Sequence, residues 1–286
     1  MANLSLNPMA TTNAAGSFGV QSDGFIQGVA LDDPANRFNL ASGTVAATET
    51  KPLWGGLPVA ELLPGVNSSP RGSTILRAVS LAELEGFTVF NQAHNGLTTP
   101  QSPVPLYASG MSVSFYRLGS NMRVPLKASA QVVALGTAGA SVKTPLAWDF
   151  VNNQVTTAAA AAFAGSDIAT TAVTYSNGVA TATTASAHGL TAGQYVKISG
   201  VAPAAYNGTV VVLTVPSTTT FTYAPASAPG GSATTQGTIG AVAQADITLP
   251  VKVISIESGN SKTVSYDSDT GFLTWNNTDS CALVLL

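Results

Sequence analysis

Val173-Thr-Tyr-Ser-Asn-Gly-Val-Ala-Thr-Ala-Thr183 decides the fold class. Its two halves are short runs of β-branched and small residues with no helical period, and Asn177-Gly178 between them supplies the positive φ angles that a two-residue hairpin turn needs. Upstream, Met111-Ser-Val-Ser-Phe115 alternates cleanly, which puts Met111, Val113 and Phe115 on one face and Ser112 and Ser114 on the other. Working outward, the same patterning predicts strands at 87–90, 124–126, 130–135, 146–150, 195–198, 209–215, 221–223, 247–256, 262–266, 272–275 and 282–286. Turn chemistry separates them: Gly119-Ser-Asn121, Gly136-Thr-Ala-Gly139, Thr144-Pro145, Asn207-Gly208, the Pro/Ser/Gly-rich 224–231 and Asp267-Ser-Asp-Thr-Gly271. The last five residues are too apolar to stand in water, so the final strand is expected to pair inside a sheet. Helix is confined to a turn or two. Pro58–Pro64 is bounded by prolines, Ser80-Leu-Ala-Glu83 forms a capping box with Gly86 as its stop, and 158–162 is either one helical turn or a linker.

Composition divides the chain. Between Thr156 and Ala245 only Asp167 and Lys197 are charged, and Ala plus Thr make up almost half the residues. The strands on either side of this segment share a composition that it lacks. The simplest organisation is therefore a discontinuous main β domain, 58–155 with 246–286, and a small β domain at 156–245 including its linkers. An insertion of this kind is tolerated where the two chain ends meet at a surface. Residues 1–57 carry few strand signals and many breakers, among them Asp32-Asp33-Pro34 and Gly55-Gly56. They read as an extended N-terminal arm whose apolar anchors, Phe18, Phe25, Phe38, Leu53, Trp54 and Leu57, are candidate partner contacts. Such an arm either lies along a neighbouring subunit or packs on its own domain.

The totals exclude several classes of function. The 286 residues include 11 basic and 14 acidic side chains, a net charge of −3, and no Arg follows Arg123. No cationic surface is available for phosphate backbones, so nucleic-acid binding is not expected. A single cysteine, Cys281, excludes a disulfide scaffold. No apolar run approaches the length of a membrane span, and the first 36 residues, without Lys or Arg, predict no secretory signal. Mean hydropathy is +0.28 with only 9% charged residues, the opposite of a disordered composition. A Thr- and Ser-clad sheet with so little charge repulsion associates readily, with copies of itself or with a partner.

Chemistry-bearing residues are few. His188 and His94 are the only histidines, each in a Gly-adjacent turn, and the one acidic residue in the segment of His188 is Asp167. General-base or zinc chemistry needs partners that these positions lack. Asp267-Ser-Asp269-Thr-Gly271 superficially matches a calcium loop but lacks the third oxygen ligand and the later Glu; a turn capped by Asp accounts for it. Asp32-Asp33 likewise starts the Pro34 turn. Cys281, beside Ala282-Leu-Val284, reads as a small buried hydrophobe. Nucleophile-elbow, phosphate-loop and dinucleotide glycine patterns are absent. Neither a catalytic residue nor a metal or cofactor site is expected. Tyr195, Tyr206, Phe221 and Tyr223 are either the core of the small domain or a sugar-stacking patch.

Two resemblances follow from longer stretches. His188-Gly-Leu-Thr-Ala-Gly-Gln-Tyr-Val-Lys-Ile-Ser-Gly200, then Tyr206-Asn-Gly208, then Phe221-Thr-Tyr223 resembles a small β module of tailed-bacteriophage structural proteins. Gly86-Phe-Thr-Val-Phe-Asn-Gln92, Leu249-Pro-Val-Lys-Val-Ile-Ser-Ile256, Ser261-Lys-Thr-Val-Ser-Tyr-Asp267 and Thr270-Gly-Phe-Leu-Thr-Trp275 are similar to bacteriophage capsid decoration (cement) proteins. This second likeness implies an all-β fold, with a β-sandwich or jelly-roll-like main domain; the insert would be a small β-barrel or Ig-like domain. It implies a virion protein on the capsid exterior, made in the host bacterial cytoplasm, that ties neighbouring subunits of the major capsid protein together as a dimer or trimer. It carries over no catalytic residues, and compact cement proteins need no insert. Alternatives are a tail, baseplate or fibre component and an adhesin whose insert binds host-surface glycans.

Overall fold

Period-two patterning becomes sixteen strands and three short helices among residues 24–30, 39–63, 72–90 and 103–286, which a computed structural model describes. The first stretch of chain contributes β1 (Leu40–Val45), β2 (Pro58–Leu62), β3 (Ser73–Arg77), β4 (Gly86–Val89), β5 (Ser112–Arg117), β6 (Arg123–Lys127) and helix α1 (Ala130–Thr137). Next come β7 (Leu146–Asp149), β8 (Gln154–Thr157), α2 (Ala158–Ala161), β9 (Ile168–Ser176), β10 (Val179–Thr184) and β11 (Tyr195–Ser199). They are followed by β12 (Gly208–Ser217), β13 (Thr220–Tyr223), β14 (Thr238–Gly240) and α3 (Gln244–Ile247). Two long strands, β15 (Lys252–Tyr266) and β16 (Leu273–Leu285), finish the chain. These elements form two units, one holding the described residues up to Thr144 together with Pro250–Leu286, the other Pro145–Leu249. The fold is all-β, and no helix among the described residues is long and apolar enough to cross a membrane.

In the first unit β1-β3-β2-β4-β5 closes as a barrel, with β1 and β3 parallel and every other pair antiparallel. So small a barrel brings backbones close. A Cβ on Gly86 would sit 2.1 Å from Tyr116 O, so β4 can begin only with glycine there. The barrel core holds Leu53, Trp54, Leu57, Val59, Ile75, Val113 and Phe115, and Val264 and Leu273 of the last hairpin join it. A separate sheet of order β15-β16-β6 places the apolar C-terminal strand in the middle, as its composition requires. Each fully buried Leu, Val or Phe contributes about 1.5–3 kcal/mol, so the last hairpin is part of what folds this unit.

The second unit is a six-stranded closed barrel of order β10-β13-β12-β11-β14-β9, with the β7–β8 hairpin, α2 and α3 beside it. Asn177 (φ 50°) and Gly178 (φ 83°) make the predicted two-residue turn between β9 and β10. Leu146 O accepts from Leu249 N at 2.8 Å, which brings the two ends of the unit together.

Several local expectations give way to the tertiary structure. The arm does not extend to residue 57. β1 is a barrel strand, and residues 53–57 run through the core, with Leu53 exchanging both backbone hydrogen bonds with Tyr107. Pro58–Leu62 is a strand rather than a helical turn, because pairing to β3 and β4 outweighs the local preference of Glu61-Leu-Leu63. The 130–135 stretch is helical: Ser129 Oγ accepts from Val132 N, and the Val132-Val133 pair that suggested a strand buries only Val132. The capping box shrinks to one 3₁₀ turn at Leu81–Glu83, with no bond from the Ser80 side chain. Asn207-Gly208, read as a turn, ends the connection between the paired strands β11 and β12, joining a 3₁₀ turn (Ala204–Tyr206) to β12. Ser114, expected to face outward, is fully buried, since β5 is covered on both faces. The expected short strands near the C-terminus merge into β15 and β16, whose bulges let one continuous ribbon serve both the sheet and the barrel core.

Candidate interaction surface

Of the six arm positions, Phe18 and Phe38 lie outside the described residues. Phe25 is half-buried against β15, its N donating to Ser261 Oγ at 3.1 Å and its carbonyl accepting from Lys262 N at 2.8 Å. Leu53, Trp54 and Leu57 are packed inside the first unit. The Trp54 ring stacks on Tyr266 at 5.6 Å, and the Arg77 guanidinium lies over the Trp54 ring, 4.8 Å from its centroid, while donating to Pro52 O at 2.8 Å. Burial pulls the Arg77 pKa below its usual value. Leu57 N donates to Thr88 Oγ1 at 2.9 Å, while that hydroxyl donates to Trp54 O, so one buried threonine fixes both ends of the turn. A partner reaches these three side chains only by opening the core.

The apolar groups that do face solvent are elsewhere. Leu62 ends β2 and Leu63, 93% exposed, follows it; Val79 follows β3; Val142, Ile254 and Phe272 complete the set of large exposed apolar side chains among the described residues. In the sequence the Leu62-Leu63 pair stands between Glu61 and Pro64, inside the stretch read as a short helical turn, and nothing in that reading marks it as exposed.

The chemistry-bearing residues that are described bond to or pack against their own surroundings. His188 Nδ1 accepts from Leu190 N at 3.0 Å, and its ring meets that of Phe221 in a T-shaped contact at 5.5 Å and 82°. His94 and Asp32-Asp33 lie outside the described residues. Asp267 binds its own turn: Oδ1 accepts from Asp269 N at 2.9 Å, and Oδ2 from Thr270 Oγ1 at 2.7 Å. Those bonds hold its carboxyl below the usual value. Cys281 is fully buried, and desolvation pushes its thiol up to about 12. No group of three or more His, Cys, Asp or Glu side chains gathers among the described residues.

In the second unit Tyr195, Tyr206, Phe221 and Tyr223 are all buried, so they make a core and not a sugar-stacking platform. Tyr195 OH donates to Trp148 O at 2.7 Å, Tyr206 OH to Gly231 O, and Tyr223 OH to Tyr206 O at 3.3 Å. Burial raises the pKa of all three phenols, so they remain neutral donors. Asn207 Oδ1 accepts from Val201 N at 2.9 Å and its Nδ2 donates to Val201 O at 2.8 Å, a side chain pairing with backbone as a strand would. The stretch that carries the module resemblance is thus a set of fold-determining contacts. A residue absent from the sequence reading, Asp149, ties the β7–β8 turn: it accepts from Val151 N, Asn152 N, Asn152 Nδ2 and Gln154 Nε2. The signal for it was Asp four residues before a positive-φ Asn153. Comparison with family models, with curated proteins and with solved structures gave no match.

Proposed function

We propose that this protein is a virion structural protein that decorates the outside of a bacteriophage head and links neighbouring subunits of the major capsid protein. What supports the reading is the convergence of the stretches that resemble cement proteins. Phe90 meets Trp275 edge-to-face at 6.1 Å, and Val264 and Leu273 share one core with the barrel, although more than 170 residues separate β4 from these partners. Apart from Leu249, the described residues of these stretches fall in one unit, interrupted in sequence by the other. That body, a five-stranded barrel with a three-stranded sheet, stands where a sandwich or jelly roll is expected of such a subunit. Low charge and the exposed Leu62, Leu63 and Val79 suit burial against a partner surface rather than turnover of a substrate.

A subunit that binds the assembled shell but not its separated parts stabilises the assembly by mass action, and many symmetric copies make weak contacts sufficient. Capsids carrying the protein should resist heat better than bare capsids, and labelled protein should cover the whole head rather than the tail. Equal heat resistance or tail-only labelling refutes the proposal. Leu62→Asp with Leu63→Asp should reduce capsid occupancy at least tenfold while leaving the melting curve of the free protein unchanged.

A further inference from the structure

Two Asn-Gly pairs stand among the described residues, Asn177-Gly178 and Asn207-Gly208, and the fold treats them oppositely. The third pair of the chain, Asn95-Gly96, lies outside the described residues. Asn-Gly is open to self-modification, because the glycine amide nitrogen reaches the asparagine side-chain carbonyl carbon with no Cβ of its own in the way. That attack needs a side-chain amide free to turn, a following backbone amide not bound elsewhere, and access for water.

Asn207 lacks the first of these. Its Oδ1 accepts from Val201 N at 2.9 Å and its Nδ2 donates to Val201 O at 2.8 Å, so both heteroatoms of the amide are clamped on one backbone residue. Turning Cγ toward Gly208 N breaks both bonds and leaves the Val201 backbone groups without those partners. Two such bonds slow the step by about tenfold or more.

Asn177 meets every requirement. It and Gly178 are both exposed, at the tip of the β9–β10 hairpin. Neither the Asn177 side chain nor Gly178 N bonds to a described residue. A Cβ placed on Gly178 would meet nothing within 4 Å, so the space beside the attacking nitrogen is open. The strands do not depend on this turn alone, since β9 also pairs with β14 and β10 with β13. The tip is free to rearrange while the barrel stays closed.

We propose that Asn177 is a site of spontaneous deamidation in the folded protein, while Val201 holds Asn207 unreactive. Gly178 N bonds to Asn177 Cγ as the Cγ–Nδ2 bond breaks. The proton of the Gly178 amide leaves with that nitrogen as ammonia, and a succinimide ring remains. Water then opens the ring at either carbonyl, giving aspartate or, with the chain rerouted through the side chain, isoaspartate. Nothing is oxidised or reduced, and water is the one co-reactant. The product adds a carboxylate to a unit whose charged side chains are Asp149, Asp167, Lys197 and Asp246. Isoaspartate also lengthens a two-residue turn that sets the register of β9 on β10.

Incubation of the full chain at mildly alkaline pH, folded and in guanidinium chloride, tests this. Peptide mapping by mass spectrometry follows each asparagine, and enzymatic methylation of isoaspartyl carboxyls identifies the product. In the folded chain Asn177 should convert about tenfold or more faster than Asn207, and in denaturant the two rates should converge. Equal rates in the folded chain, or an Asn177 that converts only in denaturant, overturn the proposal. A difference that persists in denaturant belongs to the flanking sequence and overturns the protective role of Val201.

Discussion

The two units hold closed barrels by different means. The second is continuous in sequence and nearly free of charge, and its polar groups are hydroxyls and amides that bond within that one stretch: Thr170 Oγ1 with Gly237 at 3.1 and 2.9 Å, Asn207 with Val201, and Tyr206 with Gly231. The first is assembled from both ends of the chain. Val264 and Leu273 complete a core begun at Val45, Phe25 and Gln27 bond to Lys262, and Leu286 N donates to Met122 O at 2.9 Å. One barrel draws all its strands from a single continuous stretch; the other waits for residues that lie beyond an entire inserted unit. The lesson is that independence follows from where a core's residues lie in the sequence more than from how many strands close the barrel.

Cutting the chain at its junctions tests that difference most severely. A fragment 145–249 should fold alone and melt cooperatively, because both its ends meet at Leu146 and Leu249. A fragment 1–144 should show no cooperative transition, since it lacks β15 and β16. Losing several fully buried side chains at about 1.5–3 kcal/mol each exceeds the whole stability of about 5–15 kcal/mol expected for a domain. Thermal melts followed by circular dichroism check both, and a cooperative melt of 1–144 breaks the comparison. Replacing 145–249 by a short Gly/Ser linker should restore that transition.

Within the intact chain, Phe221→Ala should lower one transition only. Phe221 is fully buried beside Tyr223 and His188, so removing its ring costs about 3–5 kcal/mol. Calorimetry should show the transition of the second unit moving down while that of the first stays in place. A shift of both would mean that the units share one cooperative core.

Legibility in the sequence follows the same division. In the second unit the Asn177-Gly178 turn and the strands at β11, β12 and β13 were readable, because each hairpin states its own pattern within a dozen residues. Even there, β14 and β8 escaped, although β7 was readable at 146–150. β14 is three residues long, and Asp149 acts on its own turn through bonds that no period marks. In the first unit, β5 and β6 were readable, but Leu53, Trp54 and Leu57 appeared as anchors of a loose arm. Nothing local reveals that Val264 and Leu273, some two hundred residues later, close over them. The Ser129 cap that turns 130–137 into a helix competes with a β-branched pair, and only burial of Val132 alone settles which pattern wins. Of the candidate surface, low charge was legible; which apolar side chains stay outside depends on pairing that the sequence does not display.

Asn207→Ala probes the local mode of closure at one side chain. It deletes the acceptor of Val201 N and the donor to Val201 O, leaving part of a loop backbone without partners. A loss of about 2 kcal/mol is expected, from two modest bonds plus the desolvation of the orphaned groups. Urea unfolding of the 145–249 fragment measures it, and a loss below about 0.5 kcal/mol would show that Gly200–Asn207 is held by other contacts.

The smallest effect belongs to the one bidentate ion pair of the first barrel among the described residues. Arg117 Nε and Nη2 donate to Glu61 Oε2 and Oε1 at 2.7 and 2.6 Å, and Ser73 Oγ donates to the same carboxylate. The Arg117 hydrogen bonds, opposed by partial burial, hold the Glu61 carboxyl below its ordinary value. A depressed folded pKa adds stability that is complete above the ordinary glutamate value and disappears as pH falls through the folded one. With Arg117 side chain half-exposed, the pair is worth only about 0.2–1 kcal/mol. Lowering the pH from 6 to 3 should therefore destabilise the first unit slightly more in the natural chain than in Arg117→Met, and 1 M salt should shrink that difference. The second unit has no such pair across its strands, so its own transition should be indifferent to Arg117→Met at every pH; a parallel shift there would mean that the charge acts on the whole chain rather than on the barrel that carries it.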